Sequence, residues 1–465
     1  MNKVLIFFLL LGLCWGQPPT ALDRYVAKPD ASYKWELVKT VPYPKATAYI
    51  LEMTSQTWLT DSEVDRQAWK HFLVVIRPNE VKTNIGFLFI SGGNNNSKNP
   101  PSPDLGLVDA ALTTGSVVAD LKMVPNQPLV FAGAKPMTED GLIAYSWDKF
   151  LRTGDDKWPL RLPMTKAAVR ALDTVTAFCA SEAGGKIKVD RFVVGGGSKR
   201  GWTSWTTAAV EAAAGKRVVA VVPFVIDLLN MIPSFEHHYR VYGAWSPAIQ
   251  DYEKTGIMNW TRTKEYKALM KIEEPYEYRQ RLTLPKYIVN SAGDQFFLPD
   301  SSQFYWDDLK GPKYLRYVPN TDHSLRNSDA LQGMLAFYDS VIQSKVPPKY
   351  GWKFQKNGDI VVTTEGNPTS VKLWAANNPE KRDFRLAVIG AAYKSTDLAK
   401  DAKGRWVAAL PKMAKGFTAY FVEVTWPSGV KHPFKFTTPV RVWPDVYPFP
   451  AFQPGPIGPG PIGDK

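Results

Sequence analysis

Two cysteines and five histidines are all that the 465 residues contain. Cys14 falls just after the N-terminal apolar run, within the segment expected to be removed, so Cys179 is the only cysteine of the body and no internal disulfide is available to it. Cys179 lies in the apolar helical stretch VRALDTVTAFCASEA, which reads as a buried small hydrophobe rather than a nucleophile. The histidines include the pair His237–His238 near Glu236, but no H-x-x-x-H spacing or Cys/His cluster accompanies them, so neither metal nor cofactor is expected. Past the N-terminus no apolar run reaches the roughly 18 residues of a membrane span, which argues against stable membrane insertion. Long Lys/Arg runs and RNA-binding motifs are absent too. The net charge of +13 is therefore a general surface property, and nucleic acid is not an expected partner. Apolar residues, by contrast, are plentiful: 45% of the chain is hydrophobic and 13% aromatic, enough for a large core and two or three domains.

The first residues, MNKVLIFFLLLGLCWGQPP, combine the cation Lys3, an apolar run from Val4 to Leu13, and small residues at Cys14 and Gly16. This is the pattern of a secretory signal peptide spanning residues 1–16, cut before Gln17, and it predicts a secreted or periplasmic protein. From about Ala48 to Lys345, short β-branched runs (HFLVVIRP, NIGFLFIS, SVVADL, PLVFAG, DRFVVGG, VVAVVPFVI, KYIVNSA, YLRYVP) alternate with helical patterns at 138–151, 164–183, 199–214 and 324–343. The alternation predicts an α/β domain over 17–346, with a mostly parallel sheet covered by helices on both faces. Residues 227–285 interrupt it as a lid-like insertion. After Pro347–Pro348 the runs GDIVVTTEG, SVKLWAAN, FRLAVIG, FTAYFVEVTW and HPFKFTTPVRVW predict an immunoglobulin- or fibronectin-like β-sandwich over 347–445. The Pro/Gly-rich tail 446–465 reads as disordered.

The chemistry centres on VDRFVVGGGSKRGWTSW (189–205), a strand running through three glycines into Ser198 and then a helix. Such a turn forces unusual backbone angles on the serine, needs neighbours without side chains, and holds the hydroxyl over a helix N-terminus. The motif departs from G-x-S-x-G: Arg200 stands in the last position and the glycine is displaced to Gly201. Activating a serine needs a base. Of the five histidines, only His323, in YVPNTDHSLRN, is downstream of the serine at a loop position within the sheet domain. An orienting acid between them is supplied by Asp294 at the end of KYIVNSAGD; Asp300 is the alternative and Asp322 a weaker one. The order Ser198, Asp294, His323 is that of the α/β-hydrolase fold. Oxyanion donors are expected from the Lys199 amide and from Gly92 and Gly93 after an early strand. Arg200, Asp227, Glu236 and His237 are candidate substrate-binding residues, with pairing to Lys199 and Arg200 as the alternative for the acidic ones. For Glu139, Asp140 and Trp147, capping and packing are the expected roles.

Several segments together resemble the PhoPQ-activated pathogenicity-related proteins, exported bacterial proteins of the α/β-hydrolase class. They are TSQTW (54–58), TEDGLIAYSWDKFL (138–151), VVGGGSKRGWTSW (193–205), PFVIDLLNM (223–231), EHHYRVYGAWSPAIQDY (236–252), SAGDQFFLPDSSQFYW (291–306) and NTDHSL (320–325). The resemblance spans roughly residues 20–345. It implies Ser198, Asp294 and His323 as triad positions, the Lys-Arg after the serine as a family feature, and a part in virulence without a settled substrate. Two functions follow as expectations. One is an exported serine hydrolase cleaving a peptide or ester bond, or a carbohydrate esterase, with an acidic substrate suiting Lys199 and Arg200. The other is a non-catalytic secreted binding or signalling protein on the same fold.

Overall fold

The computed structural model describes residues 18–411 and 415–459, so the expected signal peptide, residues 1–16, lies outside the described residues. Nine strands form the main sheet: β1 (Lys34–Tyr43), β2 (Ala46–Thr57), β3 (Ala68–Pro78), β4 (Ile85–Ile90), β5 (Val118–Leu121), β6 (Arg191–Gly197), β7 (Val218–Phe224), β8 (Lys286–Ser291) and β9 (Lys313–Val318). Their order is β1-β2-β3-β5-β4-β6-β7-β8-β9. The β1 to β3 ribbon and its junction with β5 are antiparallel, while every pairing from β5 through β4 to β9 is parallel. The order reverses at β4, which lies between β5 and β6, and in open α/β sheets ligands bind beyond the strand ends at such a point.

Both faces of the sheet are buried, and the strand sequences show why. Along β3, Leu73 and Val75 join one apolar cluster with the helices Arg161–Ala180 and Lys199–Ala213. The alternating residues Val74 and Ile76 join a second with the helices Leu105–Thr114 and Ala330–Ile342. A strand covered twice must be apolar at every position, hence the continuous runs of valine, isoleucine and leucine. This is a mostly parallel α/β sheet of the α/β-hydrolase type.

The C-terminal segment folds into separate antiparallel sheets. One contains β10 (Tyr350–Phe354), β11 (Ile360–Thr364) and β14 (Trp406–Ala408). The other contains β12 (Ser370–Asn378), β13 (Lys394–Asp397), β15 (Phe417–Trp426) and β16 (Phe434–Thr437), with β17 (Arg441–Trp443) also on β15. Their facing residues, including Ile360, Val362, Val422 and Val424, extend the second apolar cluster. Arg316 of β9 bridges the units, pairing with Glu423 of β15 and, at 3.0 Å, with Asp329.

Some expectations fail. PLVFAG forms only the isolated bridges Leu129–Met137 and Val64–Phe131, because it has no continuous neighbour to pair with. FRLAVIG contains the short helix Leu386–Ile389 instead of a strand. Within the Pro/Gly-rich tail, residues between Tyr447 and Pro456 contact the 227–285 insertion. The Phe449 N–H donates to the Arg240 carbonyl at 3.1 Å, and Phe452 packs its ring 5.0 Å from those of Trp245 and Tyr239. Tyr447 and Phe449 stay largely exposed, and the half-buried ring of Phe452, packed against the principal apolar cluster, anchors this stretch.

Candidate active site

β6 ends at Gly197, and Ser198 turns the chain into the helix Lys199–Ala213 with φ 57° and ψ −127°. A non-glycine residue in this region stores strain of about 1–3 kcal/mol, which persists only where the surroundings fix it. The Ser198 N–H donates to the Phe224 carbonyl at 2.8 Å, anchoring the turn on β7. Side chains at two neighbours would break it. A Cβ on Gly196 would sit 2.9 Å from the Arg200 backbone and the Ile90 carbonyl. One on Gly201 would sit 2.8 Å from the Gly196 carbonyl and 2.9 Å from that of Phe224. The glycine displaced to Gly201 is therefore where helix and sheet touch, and position 200 is free to carry a long side chain.

That side chain is engaged by the protein's own groups. Arg200 donates from Nε to the Val124 carbonyl at 2.5 Å and from Nη2 to Glu139 Oε1 at 2.5 Å. Lys199, 7% exposed, places Nζ 2.9 Å from Glu139 Oε2 and 3.1 Å from Asp140 Oδ2. Burial works against the charge of Glu139, but Arg200 and Lys199 outweigh it and hold the carboxyl down at about 2. Both cations are thus paired from within the fold. Glu139 is itself held at φ 51°, its N–H bonded to Gln127 Oε1 at 2.7 Å and its Oε1 accepting from Gln127 Nε2 at 2.6 Å. Capping was the expected role for Glu139 and Asp140; no local pattern reveals a partnership across some sixty positions, although both lie in the TEDGLIAYSWDKFL segment.

Beyond β4 the loop passes directly over Arg200. A Cβ on Gly92 would lie 2.6 Å from Nη2 of that guanidinium, and Gly93 adopts φ 147°. Gly92 is thus packed against the Arg200 guanidinium and Gly93 against Met123, while Lys199, the first residue of the serine's helix, contributes one of the N–H groups that lack intrahelical partners. Asn95 and Asn96 turn away and receive Arg66 at 2.7 and 2.6 Å.

His323 and Asp294 meet. His323 Nδ1 lies 2.8 Å from Asp294 Oδ2, and Asp294 Oδ1 accepts the Phe296 N–H at 2.7 Å. The carboxylate makes Nδ1 the protonated nitrogen and leaves Nε2 a lone pair; Nε2 is buried without a hydrogen-bond partner among the described residues. The Phe296 ring lies 4.3 Å from the imidazole, tilted by 41°. Ser198 and His323 line one cavity of about 460 Å³ without a hydrogen bond between them among the described contacts. A second cavity, of about 30 Å³, touches Ser198 and Lys199 beneath the insertion residues Phe235, Ile249 and Tyr252.

The other candidates fall elsewhere. Asp227 is 3% exposed, and its two oxygens accept from the Tyr305 and Tyr317 hydroxyls, each at 2.5 Å. Burial, opposed by those hydroxyls, pushes its carboxyl up to about 8. It is a packed acid held between two tyrosines. His237 pairs through Nε2 with Asp300 at 2.9 Å and through Nδ1 with the Tyr447 hydroxyl at 3.1 Å, so it too is committed to packing. Asp300 also accepts from Arg382 at 2.7 Å, which takes it out of reach as the partner of His323. Glu236 is half-buried and makes no hydrogen bond or ion pair among the described residues, and it lines neither cavity at Ser198. The described residues hold no cluster of three or more potential metal ligands, and no helix among them is long and apolar enough to cross a membrane.

The autocrine proliferation repressor protein A of Dictyostelium discoideum is 36% identical over 479 aligned positions, covering 97% of this chain and 95% of that one. Among solved structures, an acetyl xylan esterase from Paenibacillus sp. R4 is 15% identical with a TM-score of 0.47, covering 70% of this chain and 92% of its own. Acetyl xylan esterase 1 from Thermoanaerobacterium sp. JW/SL YS485 is 16% identical with a TM-score of 0.46, covering 69% and 92%. A profile of the PhoPQ-activated pathogenicity-related proteins matches residues 22–385, most of the chain, and on that match the protein belongs to this family.

Proposed function

We propose that the protein is an exported serine hydrolase acting on an ester or peptide bond. Ser198 attacks the carbonyl carbon while His323 Nε2 takes its proton; His323 then gives that proton to the leaving atom, and water repeats the sequence to release the acyl group. Asp294 orients the imidazole and stabilises its charged form. The Lys199 amide and the Gly92–Gly93 loop receive the oxyanion. The observation that carries this reading is the His323–Asp294 hydrogen bond of 2.8 Å, with Nε2 unpartnered in a cavity that Ser198 shares. Hydrogen bonds to a nucleophile commonly tighten only once substrate is bound.

A fluorophosphonate probe tests it. The protein should label at Ser198, and Ser198→Ala should abolish the label. An unlabelled, correctly folded protein would favour the second reading, a secreted binding or signalling protein. That alternative draws on the proliferation-repressor name of the Dictyostelium relative. Export is tested separately: the mature protein recovered outside the cytoplasm should begin at Gln17.

A further inference from the structure

The two cavities flanking Ser198 differ more than tenfold in volume, about 30 Å³ against about 460 Å³, and only the larger is lined by His323. A hydrolytic serine divides its substrate between two such spaces. The leaving group must lie where the histidine can protonate it, so it belongs in the larger cavity. The acyl group then falls on the opposite side, beside Lys199, in the smaller one. From this we infer that the enzyme is specific for short acyl chains, acetyl above all, on a bulky alcohol. The inference rests on the serine-hydrolase reading above.

Physical limits on the acyl side support it. About 30 Å³ holds one or two water-sized groups, enough for a methyl and little more. Leu228, Phe235, Ile249 and Phe297 close it with apolar surface, and its polar groups Lys199, Asp140 and Tyr252 are already paired with one another, which leaves Trp147 Nε1 as the donor along the wall without a partner among the described residues. Phe235 is 5% exposed and Ile249 5%, and both are packed in the principal apolar cluster, so the wall does not yield without disrupting the core. The leaving-group side is of the size usual for small-molecule sites and offers the rings of Phe89 and Phe224 with the exposed Leu331 at 50%. In the first half-reaction the Ser198 Oγ–acyl bond forms as the acyl–oxygen bond of the ester breaks. The proton taken from Ser198 passes through His323 to the departing alkoxide.

The test uses the full chain and 2-naphthyl esters of acetate, butyrate and octanoate, alongside the fluorophosphonate probe. Acetate should exceed butyrate in kcat/KM by about tenfold or more, since a methylene that does not fit costs at least that much. Leu228→Ala, a half-buried position, and the milder Ile249→Val should narrow the ratio by about threefold or more while Ser198 still labels. A labelled Ser198 with butyrate or octanoate cleaved as fast as acetate would overturn the short-acyl inference and leave the hydrolase reading standing. An unlabelled Ser198 with no ester turned over would remove both.

Discussion

His323 Nδ1 lies 2.8 Å from Asp294 Oδ2, while Asp300, six residues further on, pairs with His237 and Arg382. Two acids of one loop segment therefore have opposite duties, and their amides should separate them. Asp294→Asn should lower kcat by about 10⁴-fold through the wrong imidazole tautomer, with the melting temperature nearly unchanged. Asp300→Asn leaves Arg382 buried without its partner carboxylate, so it should cost about 3–5 kcal/mol of stability while the folded fraction keeps most of its turnover. Ester hydrolysis per folded molecule, read beside urea unfolding, distinguishes them; the reverse pattern would make Asp300 the acid.

Arg200 acts on the site through position. Its guanidinium bridges the Val124 carbonyl and Glu139 beneath Gly92, so the loop after β4 rests on it. Arg200→Lys cannot make both bonds in one plane and should lower kcat/KM on the order of 100-fold, the usual effect of a displacement near 1 Å in a catalytic group. Gly92→Ala pushes the same guanidinium aside and should give a similar loss. Because both act through one contact, the pair Gly92→Ala/Arg200→Lys should lose far less than the sum of the two. Additive losses in that double-mutant cycle would show that the loop does not depend on Arg200.

What the sequence reveals here follows from the range of each interaction. The turn at Ser198 is legible because strand, glycines, serine and helix are adjacent along the chain, and each has a local geometric reason to be there. Asp294 and His323 are legible as strand-end residues on a sheet whose order can be anticipated. The β1–β2 hairpin is harder to read because β1, KWELVKTVPY, is a mostly exposed edge strand with no buried face to give it a pattern. Glu139, Arg200 and Asp227 escape for another reason. A charged residue near a catalytic serine looks the same in sequence whether it faces substrate or a buried counter-charge, and only the tertiary approach of 139 to 199–200 and of 227 to Tyr305 and Tyr317 decides.

The buried acid predicts a pH effect whose sign is fixed by its direction. The Asp227 carboxyl is raised from 3.8 unfolded to about 8 folded, so its contribution is complete below pH 4 and is lost as the pH rises through about 8. The raw profile hides this, because burial lowers His71 to about 4 and His238 to about 3, so these histidines give a slope of opposite sign between pH 4 and 6.5. Asp227→Asn, which imitates the neutral acid, isolates it. Between pH 4 and 8 the variant should gain on the unmutated protein by about 1.4 kcal/mol per pH unit. Urea unfolding at pH 5 and pH 8 measures the change, and a constant difference would mean that Asp227 is ionised in the folded protein throughout.

Removing the tail should loosen the roof of the acyl cavity. Deleting residues 446–465 takes away the Arg382 Nη1 bond to the Val446 carbonyl at 2.7 Å, the Tyr447 partner of His237, and the Phe452 ring against Trp245. The last two fall on the insertion whose residues Phe235 and Ile249 close the cavity. The truncated protein should lose about 1–3 kcal/mol by urea unfolding and be cleaved by trypsin within 227–285 faster than the full chain. Phe452→Ala alone should reproduce part of both effects, since it removes the ring and leaves the backbone bonds in place. If the acetate preference also weakens on truncation in proportion to the proteolytic rate, the aromatic strap sets the size of the cavity. If it stays constant while proteolysis accelerates, the wall is set by the core packing of Phe235 and Ile249 alone.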